Sequence, residues 1–197
     1  SKALFDFANA LLGRFKGGMA MAGVLACAAF GSISGSTVAT TATIAQVAYP
    51  EMRRINYSGR LATAALATGG TMGVLLPPSV TLMVYAILTE QNITKMFLAA
   101  YIPALLAAVG YLIAIAVIVR IHPDQAPQAK AASGSELMTS ALQVWPIAAI
   151  FLVVFGGIYG GVFTATEGAA IGNVLTFAIT LLRREMTFDK LVASIQI

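Results

Sequence analysis

The sequence is poor in the residues on which most catalytic and metal sites depend. Among 197 residues there is one cysteine, Cys27, and one histidine, His122. A disulfide needs a second cysteine, a zinc site needs several Cys or His ligands, and a Ser-His-Asp triad needs a histidine beside a nucleophile and a carboxylate. A disulfide framework is therefore excluded, and we expect neither an enzyme nor a protein with a cofactor.

Charged residues are also scarce, at 10% of the chain, whereas soluble domains carry about 25%. No charged residue lies between Gly17 and Pro50. Long apolar runs cover 17–50, 61–89, 96–119 and 137–166, and about 20 apolar residues suffice for one bilayer crossing. The composition predicts an all-α polytopic membrane protein embedded in a lipid bilayer.

Basic residues flank the apolar runs instead of forming a basic surface. This distribution is typical of membrane proteins that obey the positive-inside rule, and it offers no interface for nucleic acid. The flanking residues are Arg14 and Lys16, then Arg53, Arg54 and Arg60, then Arg120, and finally Arg183 and Arg184.

The run 17–50 is too long for one crossing and too short for two. Its centre, GSISGST at 31–37, divides it into legs of about 15 residues, each about 22 Å long as a helix, less than the bilayer core of about 30 Å. Because both outer ends are basic, we predict a re-entrant helical hairpin with its tip inside the membrane. The preceding residues 1–16 have the spacing of an amphipathic arm helix that lies at the interface.

A second interruption, GGTMGVLLPPS at 69–79, lies within the run 61–89. Glycines such as Gly69 and Gly70 suit the end of a helix, and prolines such as Pro77 and Pro78 suit the first turn of the next one. We therefore predict a discontinuous transmembrane helix over 61–89.

The remaining chain completes one structural repeat and begins another. A transmembrane helix is predicted over 96–119, and it completes the first repeat part, 1–121. The polar stretch 122–136 is typical of a cytoplasmic linker. Residues 137–197 would start a second repeat, with transmembrane helices over 137–163 and 165–182 and an arm helix from 187. Thr164 and Glu167 have capping-box spacing, which favours a structural role for Glu167 over a proton relay.

The two interruptions are the predicted binding site. Irregular backbone at membrane depth is tolerated where it is buried in protein or lines a cavity. Helix C-termini there suit a cation, and helix N-termini suit a carboxylate. The candidate ion- and substrate-binding residues are Gly31, Ser32, Ser34, Gly35, Ser36, Thr37, Gly69, Gly70, Thr71, Gly73, Pro77, Pro78 and Ser79. Within this set, sodium would be bound by backbone carbonyls and hydroxyls of Ser32, Ser34, Gly69 and Thr71.

Two structural alternatives stay open for these residues. Gly31 and Gly35 are four residues apart, a spacing that also lets helices pack closely. The threonines that follow Thr37 in TVATTAT, over 37–43, have hydroxyls that can bond back to the preceding helical turn.

Three blocks resemble the large membrane subunit of TRAP transporters, the tripartite ATP-independent periplasmic transporters of bacteria and archaea, in the branch that takes four-carbon dicarboxylates. They are GGMAMAGVLACAAFGSISGSTVATTATIAQVAYPEM, GRLATAALATGGTMGVLLPPSVTLMVYAILTEQNITKMFLAAYIPALL and GGIYGGVFTATEGAAIGNV. Members of that family are longer than this chain, which looks like a central fragment. We therefore expect it to hold part of the transport site and not to transport alone.

The resemblance implies an elevator-type secondary transporter with inverted repeats in the cytoplasmic (inner) membrane. Sodium ions would be the coupling ions, and the substrate would be an organic acid, a C4-dicarboxylate or a sialic-acid-like anion. A small membrane subunit and a periplasmic substrate-binding protein would be the partners. A passive channel or a stand-alone sodium-coupled carboxylate carrier remains the alternative.

Overall fold

The computed structural model describes residues 2–127 and 134–182, and the elements in these ranges are helical. In chain order they are α1 (Lys2–Leu12), α2 (Gly18–Ser34), α3 (Thr37–Arg54), α4 (Gly59–Leu75), α5 (Val80–Leu88), α6 (Ile93–Ile121), a 3-10 turn (Pro123–Gln125), α7 (Gly134–Tyr159) and α8 (Ala165–Leu182). The chain divides within α7 into two compact units, Ser1–Val144 and Trp145–Ile197.

Three stretches of the described chain are long and apolar enough to cross a membrane. They are Gly59–Leu88, which joins α4 and α5, then Ile93–Ile121 and Gly134–Tyr159. These confirm the apolar spans predicted from the sequence, and α8 coincides with the helix predicted over 165–182. The all-α, multi-pass prediction is therefore confirmed.

Helix α2 forms the centre of the first unit. It is apolar around its whole circumference, as expected of a helix with protein on most sides, and small residues such as Ala20, Ala22 and Cys27 are completely buried. Helices α1, α3, α4 and α6 all pack against it. The apolar face of α1, including Phe5 and Ala8, is part of the same core.

The connection between α3 and α4 closes one end of this core. Tyr57 is completely buried, and its hydroxyl accepts a hydrogen bond from the Met19 N–H at 3.3 Å. Burial raises the pKa of the Tyr57 phenol, because the phenolate would lose its hydration. The phenol therefore fixes the start of α2 against the base of the hairpin.

The predicted helical hairpin is present as α2 and α3, joined by Gly35 and Ser36. Gly35 adopts a left-handed conformation with φ of 60°, which favours glycine because it has no Cβ. Helix α3 begins directly after Ser36 and buries a stripe at four-residue spacing, Thr40, Ile44, Ala48 and Met52. The re-entrant position of this hairpin in a bilayer stays a prediction.

The predicted interruption of the next helix is present within residues 69–79, but it begins later than expected. Helix α4 continues through Gly69 and Gly70 to Leu75. A Cβ on Gly69 would lie 3.1 Å from the Cβ of Cys27, so this glycine allows close helix packing instead of ending a helix. Helix α5 begins at Val80.

Pro77 and Pro78 also differ from the prediction. They precede Ser79, the N-cap of α5, and so lie in the non-helical break instead of the first turn of α5. The peptide bond between the two prolines is cis.

Other helix boundaries also differ from those expected. The arm helix α1 ends at Leu12, and α7 runs from Gly134 to Tyr159, so it starts inside the predicted linker. The arm helix predicted from 187 and residues 128–133 of the linker lie outside the described residues. The division into two repeats stays a prediction.

Candidate ion and substrate site

The hairpin tip and the break after α4 lie in direct contact. Gly31, in the last turn of α2, packs against Gly73 of α4 so closely that a Cβ on Gly31 would collide with the Gly73 Cα and lie 2.8 Å from the Gly73 N. On the other side of the tip, a Cβ on Gly35 would lie 3.3 Å from the backbone N of Val80. Glycines at these positions therefore bring the two interruptions together.

Four helix ends meet at this junction. Helices α2 and α4 end there, and helices α3 and α5 begin there. The Gly31 carbonyl accepts the Gly35 N–H at 2.8 Å, and the Met72 carbonyl accepts the Leu76 N–H at 2.9 Å. The later carbonyls of each helix have no intrahelical partner, and neither do the first N–H groups of the following helices. The junction thus combines partial negative and partial positive charge from the backbone.

Two serines cap the helices that begin at the junction. Ser36 Oγ accepts the Ala39 N–H at 3.3 Å, and Ser79 Oγ accepts the Leu82 N–H at 3.4 Å. Ser79 is completely buried. Both hydroxyls occupy the N-cap position that satisfies an otherwise unpaired helix donor, so each defines where its helix starts.

Ser34 and Thr40 connect the two legs of the hairpin. Their hydroxyl oxygens lie 2.6 Å apart, and Ser34 Oγ also accepts the Ser36 N–H at 3.3 Å. Thr40 is completely buried, and its Oγ1 would lie 2.9 Å from a Cβ on Gly73. Thr40 therefore belongs to the junction, although it was absent from the predicted set. In the sequence, Thr40 stands four residues before the apolar Ile44, and this spacing indicates that both lie on the same face of the helix.

Gly69 and Thr71, two of the four predicted sodium ligands, do not lie at the hairpin tip. The Thr71 hydroxyl donates to the Thr68 carbonyl at 2.6 Å and lies 3.1 Å from the hydroxyl of Tyr111 on α6. Gly69 lies inside α4, opposite Cys27. Both residues lie within α4, before the break, so this geometry does not support them as sodium ligands, and that role stays a prediction.

The other two predicted sodium ligands lie in the last turn of α2. Ser32 is buried, and its hydroxyl donates back to the Ala29 carbonyl at 2.8 Å. Ser34 is the one of the four whose side chain bridges the tip, through Thr40. The carbonyls of both residues belong to the end of α2, where intrahelical donors run out.

The remaining candidates are Gly70 in α4, Thr37 at the start of α3 and the two prolines of the break. Gly70 packs against Thr41 of α3, and a Cβ on Gly70 would lie 3.2 Å from the Thr37 carbonyl oxygen. Thr37 is the first residue of α3. Pro77 is buried in the break, whereas Pro78 is partly exposed. The Pro78 carbonyl lies 3.8 Å from the position of a Cβ on Gly35, so the break contacts the tip directly.

Glu167, considered above as a proton relay, forms the predicted capping box in the second unit. Its carboxylate accepts the Thr164 N–H at 2.8 Å, and its own N–H donates to Thr164 Oγ1 at 3.3 Å. Both hydrogen bonds satisfy donors at the start of α8. This geometry supports a structural role for Glu167.

Comparison with known proteins identifies the family. Residues 1–196 match the family described as tripartite ATP-independent periplasmic transporter, DctM component. The C4-dicarboxylate TRAP transporter large permease protein DctM of Pseudomonas aeruginosa is 36% identical over 182 residues, which cover 92% of this chain and 42% of that protein.

Two relatives with other named substrates are similar as well. The ectoine TRAP transporter large permease protein TeaC of Halomonas elongata is 33% identical over 85% of this chain and 39% of its own length. The 2,3-diketo-L-gulonate TRAP transporter large permease protein YiaN of Escherichia coli is 32% identical over 97% of this chain and 45% of its own length. The chain thus spans less than half the length of these relatives, and it belongs to the DctM family of TRAP transporter large permeases.

Proposed function

We propose that this chain is part of the large permease of a sodium-coupled secondary transporter that imports an organic acid. The observation that carries the proposal is the convergence of two helix C-termini and two helix N-termini where Gly31 meets Gly73 and Gly35 meets Val80. Broken helices of this kind provide the ion and substrate sites of many secondary transporters.

Sodium is favoured over protons as the coupling ion by the chemistry of the junction. Residues 31–37 and 69–79 contain no Asp, Glu, His, Lys or Arg, so neither segment has a side chain that carries a transported proton. Both supply hydroxyl and carbonyl oxygens, which are the ligands that hard cations prefer. The cation would bind at the ends of α2 and α4.

The substrate carboxylate would bind to the N–H groups at the starts of α3 and α5. Neither interruption contains a basic side chain to pair with it, so backbone donors and helix dipoles would supply the positive potential. A C4-dicarboxylate is the preferred substrate class, because one similar relative is named for it and another for a sugar acid. A small membrane subunit and a periplasmic binding protein would complete the tripartite system that the family description names.

An elevator motion would carry this site across the membrane. The direct contacts of the hairpin tip with the break support a single mobile body that contains both interruptions. Cysteine pairs that link this body to the rest of the full-length protein should trap one access state and stop uptake, with recovery on reduction.

The test uses the full-length permease with its small subunit in proteoliposomes. Labelled dicarboxylate uptake is followed under an inward sodium gradient, with and without the periplasmic binding protein. Uptake that needs both sodium and the binding protein supports the proposal. Uptake without the binding protein would identify a stand-alone carrier, and unitary currents without saturation would identify a channel.

Gly35→Val tests the site itself in the same assay. The new side chain would cover the Val80 N and strain a residue with φ of 60°, so we expect weaker sodium dependence. Gly161→Val is the matched control, because Gly161 has φ of 72° but no atom within 4 Å of a Cβ. Equal losses in the two variants would assign the effect to backbone strain and count against the junction as the site.

A further inference from the structure

We propose that an anionic phospholipid binds in a groove between the α1–α2 turn and the end of α6. The groove has a volume of about 630 Å³. Its lining residues are apolar except for two cations, Lys16 and Arg120. The inference requires that α6 spans the bilayer, and it is independent of the transported substrate.

The α1–α2 turn is packed directly onto the last turns of α6. A Cβ on Gly17 would lie 2.9 Å from Val119 Cγ2 and 3.3 Å from Ile115 Cγ2. The close approach places Lys16, the preceding residue, beside the end of a membrane-spanning helix. Lys16 and Arg120 come from different elements, yet they line one groove.

The two cations have no carboxylate partner among the residues that the structure describes. Their position at the end of an apolar helix corresponds to the depth of lipid headgroups. Lysine and arginine are the side chains that bind phosphate groups, and basic pockets at helix ends bind anionic headgroups. The charge at this end of the groove is therefore complementary to a lipid phosphate.

The rest of the groove is suited to an acyl chain. Phe15, Ile113 and Val117 line it and are exposed by 46%, 58% and 49%. From Ile113 to Arg120 the groove follows α6 for about 10 Å, at about 1.5 Å per residue. A wall that is apolar along its length and cationic at the headgroup end has the polarity of a phospholipid. A protein segment in the same groove would need carboxylate or carbonyl oxygens placed opposite both cations.

The experiment uses the full-length permease with its small subunit in nanodiscs of phosphatidylcholine, with or without phosphatidylglycerol. Lipids that remain bound after release from the nanodisc are identified by native mass spectrometry. We expect preferential retention of phosphatidylglycerol by the wild type. Lys16→Gln and Arg120→Gln should each weaken that retention roughly fivefold.

The control is Arg60→Gln, which removes an exposed basic residue in the first turn of α4 outside the groove. It should leave retention unchanged. Ala116→Trp keeps both cations but fills the groove, and it should also reduce retention. Each variant is first checked for monodispersity and thermal stability, so that a misfolded variant is not counted as one that has lost its lipid.

Two outcomes would overturn the proposal. If Arg60→Gln lowers retention as much as Lys16→Gln does, the lipid is attracted by general surface charge. If no lipid is retained and Ala116→Trp instead releases the small subunit or destabilises the full-length chain, the groove is occupied by protein.

Discussion

Gly31→Ala tests the close contact on which the junction depends. A Cβ at this position would collide with the Gly73 Cα and lie 2.8 Å from the Gly73 N. Both are backbone atoms, so they cannot rotate away as the end of a side chain can. Helices α2 and α4 would have to separate, and the carbonyls at their ends would move with them.

The magnitude follows from two opposing terms. Alanine is favoured over glycine within a helix by about 1 kcal/mol, whereas overpacking a well-packed site costs about 1–3 kcal/mol. A backbone collision belongs at the upper end of that range, so Gly31→Ala should destabilise the protein by about 2 kcal/mol. The sodium concentration for half-maximal uptake should rise as well.

Gly110→Ala is the matched control, since Gly110 lies within α6 and a Cβ there meets no atom within 4 Å. Its propensity gain should stabilise the protein by up to about 1 kcal/mol. Equilibrium unfolding of the full-length protein in mixed micelles measures the difference. If the two variants are equally stable, or if Gly31→Ala loses stability without any change in sodium dependence, the reasoning about this contact is refuted.

Three further perturbations address the hydroxyls around the junction. Ser34→Ala and Thr40→Val should show a coupling of about 0.5–1.5 kcal/mol in a double-mutant cycle of unfolding free energies, and additive effects would contradict a hydrogen bond between them. Ser79→Ala should cost about 1 kcal/mol through loss of the α5 cap, and an unchanged unfolding midpoint for this variant would exclude the cap. Thr71→Val and Tyr111→Phe should each leave the sodium dependence of uptake unchanged, and a sodium effect of Thr71→Val alone would identify Thr71 as a ligand, as the sequence predicted.

The hairpin was predictable because its signal is one of length. An uncharged run too long for one crossing and too short for two, interrupted by small polar residues, allows few arrangements in a membrane. The turn at Gly35 and Ser36 falls within GSISGST, as expected. The apolar spans were predictable for the same reason.

The residue at which α4 ends was not predictable, because glycine has two structural uses. Glycine adopts a left-handed backbone conformation without strain, as at Gly35, and it permits close helix packing, as at Gly69 and Gly73. Which use applies depends on the helix that packs against the residue, and a single sequence does not contain that information.

The directions of individual side chains could not be predicted for the same reason. Thr71 and Thr40 are both threonines near an interruption, but the Thr71 hydroxyl faces Tyr111 on α6 and the Thr40 hydroxyl faces Ser34. The two threonines differ in role because of the way in which α3 and α6 pack around α4. In the sequence, the direction of Thr40 is indicated by the four-residue spacing that it shares with the apolar residues Ile44, Ala48 and Met52.

The two capped helix starts also change which groups would bind a substrate carboxylate. Ser36 and Ser79 each use their hydroxyl to satisfy the third N–H of the helix that follows, and the fourth N–H of each helix already donates to the serine carbonyl at 3.0 Å. The donors left in each first turn are therefore the first and second N–H groups, at residues 37 and 38 in α3 and at residues 80 and 81 in α5. If a carboxylate binds at the junction as proposed, it would be held by these four backbone groups, and the serines would position the donors without being ligands themselves.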